Sequence, residues 1–328
     1  MSADERTDAR PRARSIALLV ALLALVFAST FWLTRAWTGA RIAMPAGSAT
    51  VIGSSGAQAA VTATAVPTPT PSTASASASA ETLTPVATTK SPTTKSSTTQ
   101  SVTLADLGVS GAASVAVYDL DDGNQLTAGE GAYETASIVK VDILVSLLVQ
   151  RSGALTAAQK SLAKSMITIS DNAAATSLFQ AIGSATGLNR TNRTLGLVET
   201  TAGTNGNWGL TRTTAADQIR LLKLVFTSNT ILSETSRAYV SSLMTSVTEG
   251  QDWGVTAASD DADDAAVKNG WLQRTTTGLW DVNSIGEVTY TQHRFLVVVL
   301  TTSGATMSGG IATIEKAATA AVRRVLAV

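Results

Sequence analysis

The chain has 328 residues, and its 24 Lys plus Arg balance 24 Asp plus Glu, so no global field favours a polyanion and no nucleic-acid partner is expected. Cysteine is absent, which removes disulfides, thiolate metal sites, cysteine nucleophiles and a lipid-acceptor cysteine. The single histidine, His293, stands beside the apolar run Phe295 to Leu300 and reads as part of a buried strand, not as an active-site base.

Arg6, Arg10, Arg12 and Arg14 precede an apolar stretch, Ile16 to Leu33, just long enough to span a bilayer. The positive-inside rule places residues 1–15 in the cytoplasm. Trp32, Arg35 and Trp37 suit the far interface and no small-residue cleavage site follows, so 16–37 is expected to be an uncleaved single-pass signal anchor rather than a removed signal peptide. Residues 38–103 are rich in Ala, Ser, Thr and Pro, and no aromatic residue occurs between Trp37 and Tyr118. Such a segment buries too little apolar surface to fold, so it predicts a disordered stalk spacing an extracytoplasmic domain, 104–328, from the membrane.

That domain opens on the alternation Val115 to Leu120 and the turn Asp121-Asp122-Gly123-Asn124, which predict a hairpin. Ile138 to Gln150 is apolar on nearly every face and predicts a buried helix. Helical periodicity continues through Ala157 to Ile182, Thr214 to Phe226 and Glu234 to Thr245. Strands follow at Val282 to Tyr290 and Arg294 to Thr301, and a closing helix at Gly310 to Leu326. Strands at both ends around a helical middle imply an α+β domain whose sheet is assembled from distant parts of the chain.

With no cysteine and a structural histidine, a nucleophilic serine here needs another base, and lysine is the natural substitute. Its pKa is near ~10.4 in water, so it accepts a proton at neutral pH only when desolvation or a nearby positive charge lowers that value. Ser137 and Lys140 in Thr135-Ala136-Ser137-Ile138-Val139-Lys140 lie one helical turn apart beside a buried helix. Ser137 also falls at the helix start, where free N–H groups can stabilise an oxyanion. Ser161-Leu162-Ala163-Lys164 has the same spacing, but in mid-helix.

Ser170-Asp171-Asn172, at a bend between helical stretches, and Lys268-Asn269-Gly270, before a strand, follow the first motif in order. With these three motifs the chain resembles the penicillin-recognising serine hydrolases, in particular class A β-lactamases and their D,D-peptidase relatives. The resemblance implies the β-lactamase fold: an antiparallel sheet flanked by helices, with a helical subdomain. By position, it makes Ser137 the acylated nucleophile and Lys140 the group that takes its proton. Ser170 would relay a proton to the leaving nitrogen, and Asn172 would bind Lys140 and the substrate amide. Lys268 would add positive charge, and Asn269, Gly270 and Trp271 would contact substrate, with the N–H groups of Ser137 and Trp271 as the oxyanion hole. The implied ligand is a cell-wall D-alanyl peptide or a β-lactam, with no metal, no cofactor and a monomeric protein.

Three departures stand out against that resemblance. The interval from Ser137 to Ser170 is short, Asn269 replaces a hydroxyl residue, and the loop that carries the deacylating glutamate of class A enzymes is truncated. Glu199 is the only acid between Asp171 and Asp217 and reads as a surface carboxylate. Stable β-lactam acylation with slow turnover is the expected consequence; the alternative is a catalytically degenerate module that binds or senses cell wall or β-lactam.

Overall fold

The computed structural model describes residues 97–328; the segments expected to be cytoplasmic and membrane-spanning, and most of the expected stalk, lie outside the described residues. Among the described residues no helix is long and apolar enough to cross a membrane. A six-stranded sheet has the order β1-β3-β2-β8-β7-β6, built from β1 (Thr99–Val102), β2 (Ala113–Asp119), β3 (Gln125–Ala128), β6 (Ala266–Gln273), β7 (Trp280–Tyr290) and β8 (His293–Gly304). A separate two-stranded ribbon pairs β4 (Tyr133–Glu134) with β5 (Arg212–Thr213). All neighbours in the large sheet are antiparallel except β1 and β3, so the sheet is mixed where a purely antiparallel one was expected. Strand β1 also begins the fold at Thr99, ahead of the expected boundary at 104. Its sequence Thr99-Gln100-Ser101-Val102 has the composition of the stalk, and tertiary contact sets it apart: backbone pairing with β3, Gln125 Nε2 donating to Thr99 Oγ1 at 2.8 Å, and Val102 packed against a hydrophobic cluster.

Strand β8 explains the unbroken apolar run of the sequence. Leu296, Val298 and Leu300 face one hydrophobic cluster, and Phe295, Val297 and Val299 face another, so both sides of the strand are covered. The second cluster is closed by α7 (Met307–Leu326), which turns Ile314, Ala317, Ala318, Ala321, Val322 and Val325 to the sheet. On the other face lies the helical half. Its centre is α1 (Val139–Gln150), buried from Val139 to Leu148 and packed among α2 (Ala157–Thr168), α3 (Asn172–Ala181), α4 (Ser184–Leu195) and α6 (Glu234–Thr245). Full burial of each of its Ile, Leu and Val side chains contributes about 1.5–3 kcal/mol, enough to hold a helix that has no polar face. Helix α5 (Ala215–Phe226) packs on β2 and β8 and is capped by Thr214, whose side chain accepts from Asp217 N.

Helix α4 is absent from the sequence-based expectations. Its run Ser-Ala-Thr-Gly-Leu-Asn-Arg-Thr-Asn-Arg-Thr-Leu carries poor helix formers, and only Leu188 and Leu195 supply a strong apolar signal. It is held by tertiary contacts, including Asn192 Nδ2 donating to the buried Asp142 at 3.0 Å and Gln150 Nε2 donating to Thr191 Oγ1 at 3.0 Å.

His293 departs from the expected buried strand position. It starts β8 at the tip of the β7–β8 hairpin with 29% of its side chain exposed, and its Nδ1 lies 3.0 Å from Asp119 Oδ2 at the end of β2. The other Asp119 oxygen accepts from the N–H groups of Asp121 and Asp122, so this aspartate shapes one hairpin turn and fastens it to the next. Asp119, Asp122 and His293 are the one group of metal-capable side chains gathered within 4.8 Å among the described residues.

Candidate active site

The site is built where the edge strand β6 meets two turns of the helical half. The first turn, a short 3-10 helix over Ala136–Ile138, leads directly into α1 and presents Ser137 half-exposed while Ile138, Val139 and Lys140 are buried. Ala136 just before the serine has φ 46°, a left-handed conformation that costs about 1–3 kcal/mol in a non-glycine residue and persists only where the surroundings enforce it. The enforcement is visible. Asn283 of β7 donates its side-chain amide to Glu134 O at 2.8 Å and Thr135 O at 3.2 Å, and Thr135 N donates to Thr211 O at 2.8 Å.

The second turn separates α2 from α3. Ser170 is also left-handed, with φ 57°, and Asp171 caps α3 by accepting from Ala174 N at 2.9 Å. This geometry aims Ser170 and Asn172 at the lysine. Lys140 Nζ donates to Ser170 O at 2.6 Å and Asn172 Oδ1 at 2.8 Å and stands 3.0 Å from Ser170 Oγ. From the opposite side Lys268 Nζ reaches the same Ser170 Oγ at 3.0 Å and its own strand's Asn269 O at 2.9 Å. One hydroxyl thus joins two lysines that lie 128 positions apart in sequence.

Both lysines are fully buried, and this sets their protonation. Desolvation, reinforced by the positive charge of Lys268 and opposed by Asp171, lowers the Lys140 pKa to about 6. Desolvation lowers that of Lys268 to about 7. At neutral pH Lys140 is therefore mostly a free amine. Its two hydrogens satisfy the two pure acceptors, Ser170 O and Asn172 Oδ1, which leaves its lone pair to accept from a hydroxyl. A base of this kind is what the serine required.

The substrate-facing residues divide. Lys268, Gly270 and Asn283 lie on the face of the sheet turned to the nucleophile, with Gly270 opposite Asn283 in the register. A Cβ at Gly270 would stand 2.6 Å from Ser137 N and 2.7 Å from Thr135 O, so only glycine lets the strand run this close to the nucleophile. Asn269 points the other way. It is buried, and its amide donates to Gln251 O at 2.9 Å and Trp253 O at 2.7 Å, so the expected role as a substrate donor is corrected to one of fixing the 251–254 loop. Trp271 is half-buried on the edge strand β6, and its ring lies 5.7 Å from that of Trp253.

Glu199 is exposed; its Oε2 accepts from Thr214 Oγ1 at 3.2 Å. Ser161 and Lys164 of the second serine-lysine pair are both exposed on α2. Two contributors escaped the sequence reading. Asn283 is a buried amide in β7, set between Val282 and Ser284. Trp208, whose ring centroid lies 4.9 Å from Lys140 Nζ, sits in a short 3-10 turn, Trp208–Leu210, with no periodic signal.

The fold is similar to that of solved β-lactamases. It matches the TLA-3 extended-spectrum β-lactamase with a TM-score of 0.59 and 18% identity, covering 66% of this chain and 94% of that one. It matches a class A β-lactamase from Bacteroides cellulosilyticus with a TM-score of 0.56 and 18% identity, covering 66% of this chain and 92% of that one. PBP-A matches with a TM-score of 0.56 and 20% identity, covering 66% of this chain and 91% of that one. No curated protein matches the sequence. Residues 152–325 match the β-lactamase enzyme family, a span that takes in the Ser170 turn, β6 and Lys268. On that match, and with this fold around its lysine-based site, the chain belongs to the β-lactamase enzyme family as a serine hydrolase.

Proposed function

We propose that this chain is an extracytoplasmic, D,D-peptidase-like acyltransferase that reacts with D-alanyl peptides and is acylated by β-lactams, which it turns over slowly. The observation that carries the reading is the buried Lys140 amine, one turn from Ser137 and tied to Ser170 and Asn172. In the acylation step the Ser137 Oγ lone pair attacks the substrate carbonyl carbon while Lys140 Nζ takes the Oγ proton. Serine-lysine contact of this kind tightens when substrate is bound. The carbonyl oxygen, now negative, sits against backbone N–H groups at Ser137 and Trp271. The carbon–nitrogen bond then breaks, and the leaving nitrogen receives the Ser170 hydroxyl proton, which Lys140 replaces. Lys268 donates to Ser170 Oγ throughout and supplies positive charge for an anionic substrate group.

Slow release is supported by the carboxylate inventory. No acidic side chain is a hydrogen-bond partner of Ser137, Lys140, Ser170 or Lys268 among the described residues, and Glu199 is engaged at the surface. A general base is typically worth ~10²–10⁴-fold in rate, so its absence slows deacylation while leaving acylation intact. A similar structure, that of a PBP-A mutant, is an acyl-enzyme complex with penicillin G. Mixing the protein with a chromogenic cephalosporin is expected to give a burst of about one equivalent followed by negligible turnover. Rapid multiple turnover contradicts the slow-release reading. The location rests on the arginine-flanked apolar segment and the stalk composition, and protease added to intact cells is expected to shed the domain; a protected domain contradicts it.

A further inference from the structure

Helix α1 buries a second ionisable side chain, one that the proposed acylation does not use. Asp142 is 1% exposed, yet no cationic side chain is a hydrogen-bond or ion-pair partner of it among the described residues. Its Oδ2 accepts from Asn192 Nδ2 of α4 at 3.0 Å, and its Oδ1 lies 3.5 Å from Ser146 Oγ, one turn further along α1. Lys140, on the same helix, turns its nitrogen to Ser170 and Asn172. On the helices packed against α1, Lys160, Lys164, Arg190, Arg193 and Glu234 are exposed, and α3 carries no charged residue. Arg237 and Tyr239 of α6 donate to Leu232 O and Lys160 O. The charge that does reach Asp142 is that of Asp217 on α5, which has the same sign.

Asn192 is also 1% exposed, and its Oδ1 has no hydrogen-bond partner among the described residues. An ionised carboxylate only accepts, so it satisfies the amide nitrogen and never the amide oxygen. A protonated carboxyl sets one donor beside one acceptor, which is the complement of an amide. Burying the acid also avoids the cost of an unpaired buried charge. We infer that Asp142 is a carboxylic acid in the folded protein at mildly acidic pH, its proton bonded to Asn192 Oδ1 while Asn192 Nδ2 bonds Asp142 Oδ2, and that this two-bond clasp docking α4 on α1 opens when the acid ionises. Burial, reinforced by the charge of Asp217 and opposed by the Asn192 and Ser146 hydrogen bonds, pushes Asp142 up to about 7 and so sets where the clasp opens. Helix α4 depends on the clasp because its Thr, Asn and Gly residues give it little helix preference of its own. The clasp stands apart from the acyl-transfer reading, since Asp142 takes no part in that chemistry.

Between the usual value of 3.8 and about 7 the unfolded chain gives up the Asp142 proton while the folded chain keeps it, so this group's stabilisation is full below 3.8 and is lost as pH rises through 7. Lys140 and Lys268, lowered to about 6 and about 7, act in the opposite direction, but equally in any variant of Asp142. Asp142→Asn keeps the shape of the acid and offers Asn192 the same donor and acceptor at every pH. The test is thermal unfolding of the full-length wild type and Asp142→Asn between about pH 4 and about pH 9, with hydrogen exchange of wild-type α4 near both ends. The two melting temperatures are expected to agree within about 1 °C at the acid end, with the variant roughly 4 °C or more above the wild type at the alkaline end. Amides of wild-type α4 are expected to exchange about tenfold faster at the alkaline end, after correction for the intrinsic rate, while those of α6 keep their protection. A gap that does not change with pH, a variant less stable than the wild type at the alkaline end, or a variant that does not fold overturns the inference. Unchanged protection of wild-type α4 overturns it as well, whatever the variant does.

Discussion

Replacing Lys140 by methionine is expected to slow acylation of Ser137 by ~10²–10⁴-fold, the usual worth of general-base help. Methionine keeps most of the buried length and removes only the nitrogen. Its loss also strands Ser170 O and Asn172 Oδ1, which now accept from Nζ at 2.6 and 2.8 Å. An acceptor left without a partner costs about 1–3 kcal/mol, so thermal stability should fall as well, and the rate must be measured on protein shown to be folded. The pH profile of the wild type gives an independent check. Lys140 must be neutral to take a proton, so acylation falls as pH drops through its pKa of about 6. Lys268 serves as a charged donor, so acylation falls again as pH rises through its pKa of about 7. A narrow bell between those limbs is the expected shape. Labelling of Lys140→Met at the wild-type rate contradicts the assignment.

Gly270→Ala is expected to cost ~10²-fold or more in acylation with an unchanged fold. The added Cβ meets Ser137 N at 2.6 Å, Ile138 N at 2.7 Å and Thr135 O at 2.7 Å, all backbone atoms that no rotamer change can move. The strand or the nucleophile turn must therefore shift, and Ser137 N is itself one of the oxyanion donors in the proposed mechanism. Removing such a donor alone costs ~10²–10³-fold. Gly304→Ala is the control, because a Cβ there makes ordinary contact with Trp280 O at 3.4 Å. A Gly270→Ala protein with wild-type labelling contradicts the close approach.

Much of this architecture was legible in the sequence because its elements carry their own signals. Helix α6 spans Glu234–Thr245 as the periodicity predicted, and α1 follows from apolar residues on every face. The serine-lysine spacing and the two later motifs picked out Lys140, Ser170, Asn172 and Lys268, which the fold joins by hydrogen bonds. What the sequence hid is what tertiary contact decides. Strand β1 is stalk-like in composition and exists through its pairing with β3. Helix α4 carries three Thr, two Asn and one Gly among its twelve residues and is held by Asp142 and Gln150. Asn269 has the place of a substrate donor in its motif, yet strand alternation from Lys268 turns it to the opposite face of the sheet. The left-handed backbone at Ala136 and Ser170, residue types with no such preference, had no local signal at all.

The central claim is that Ser137, at the head of α1 and served by Lys140, is the residue acylated. Its most direct test is peptide mapping by mass spectrometry after incubation with benzylpenicillin, run on the wild type, Ser137→Ala and Ser161→Ala. One penicilloyl adduct is predicted on the peptide that carries Ser137, lost in Ser137→Ala and kept in Ser161→Ala, whose serine is exposed on α2. An adduct that survives Ser137→Ala, or that maps to any other residue, would contradict the account.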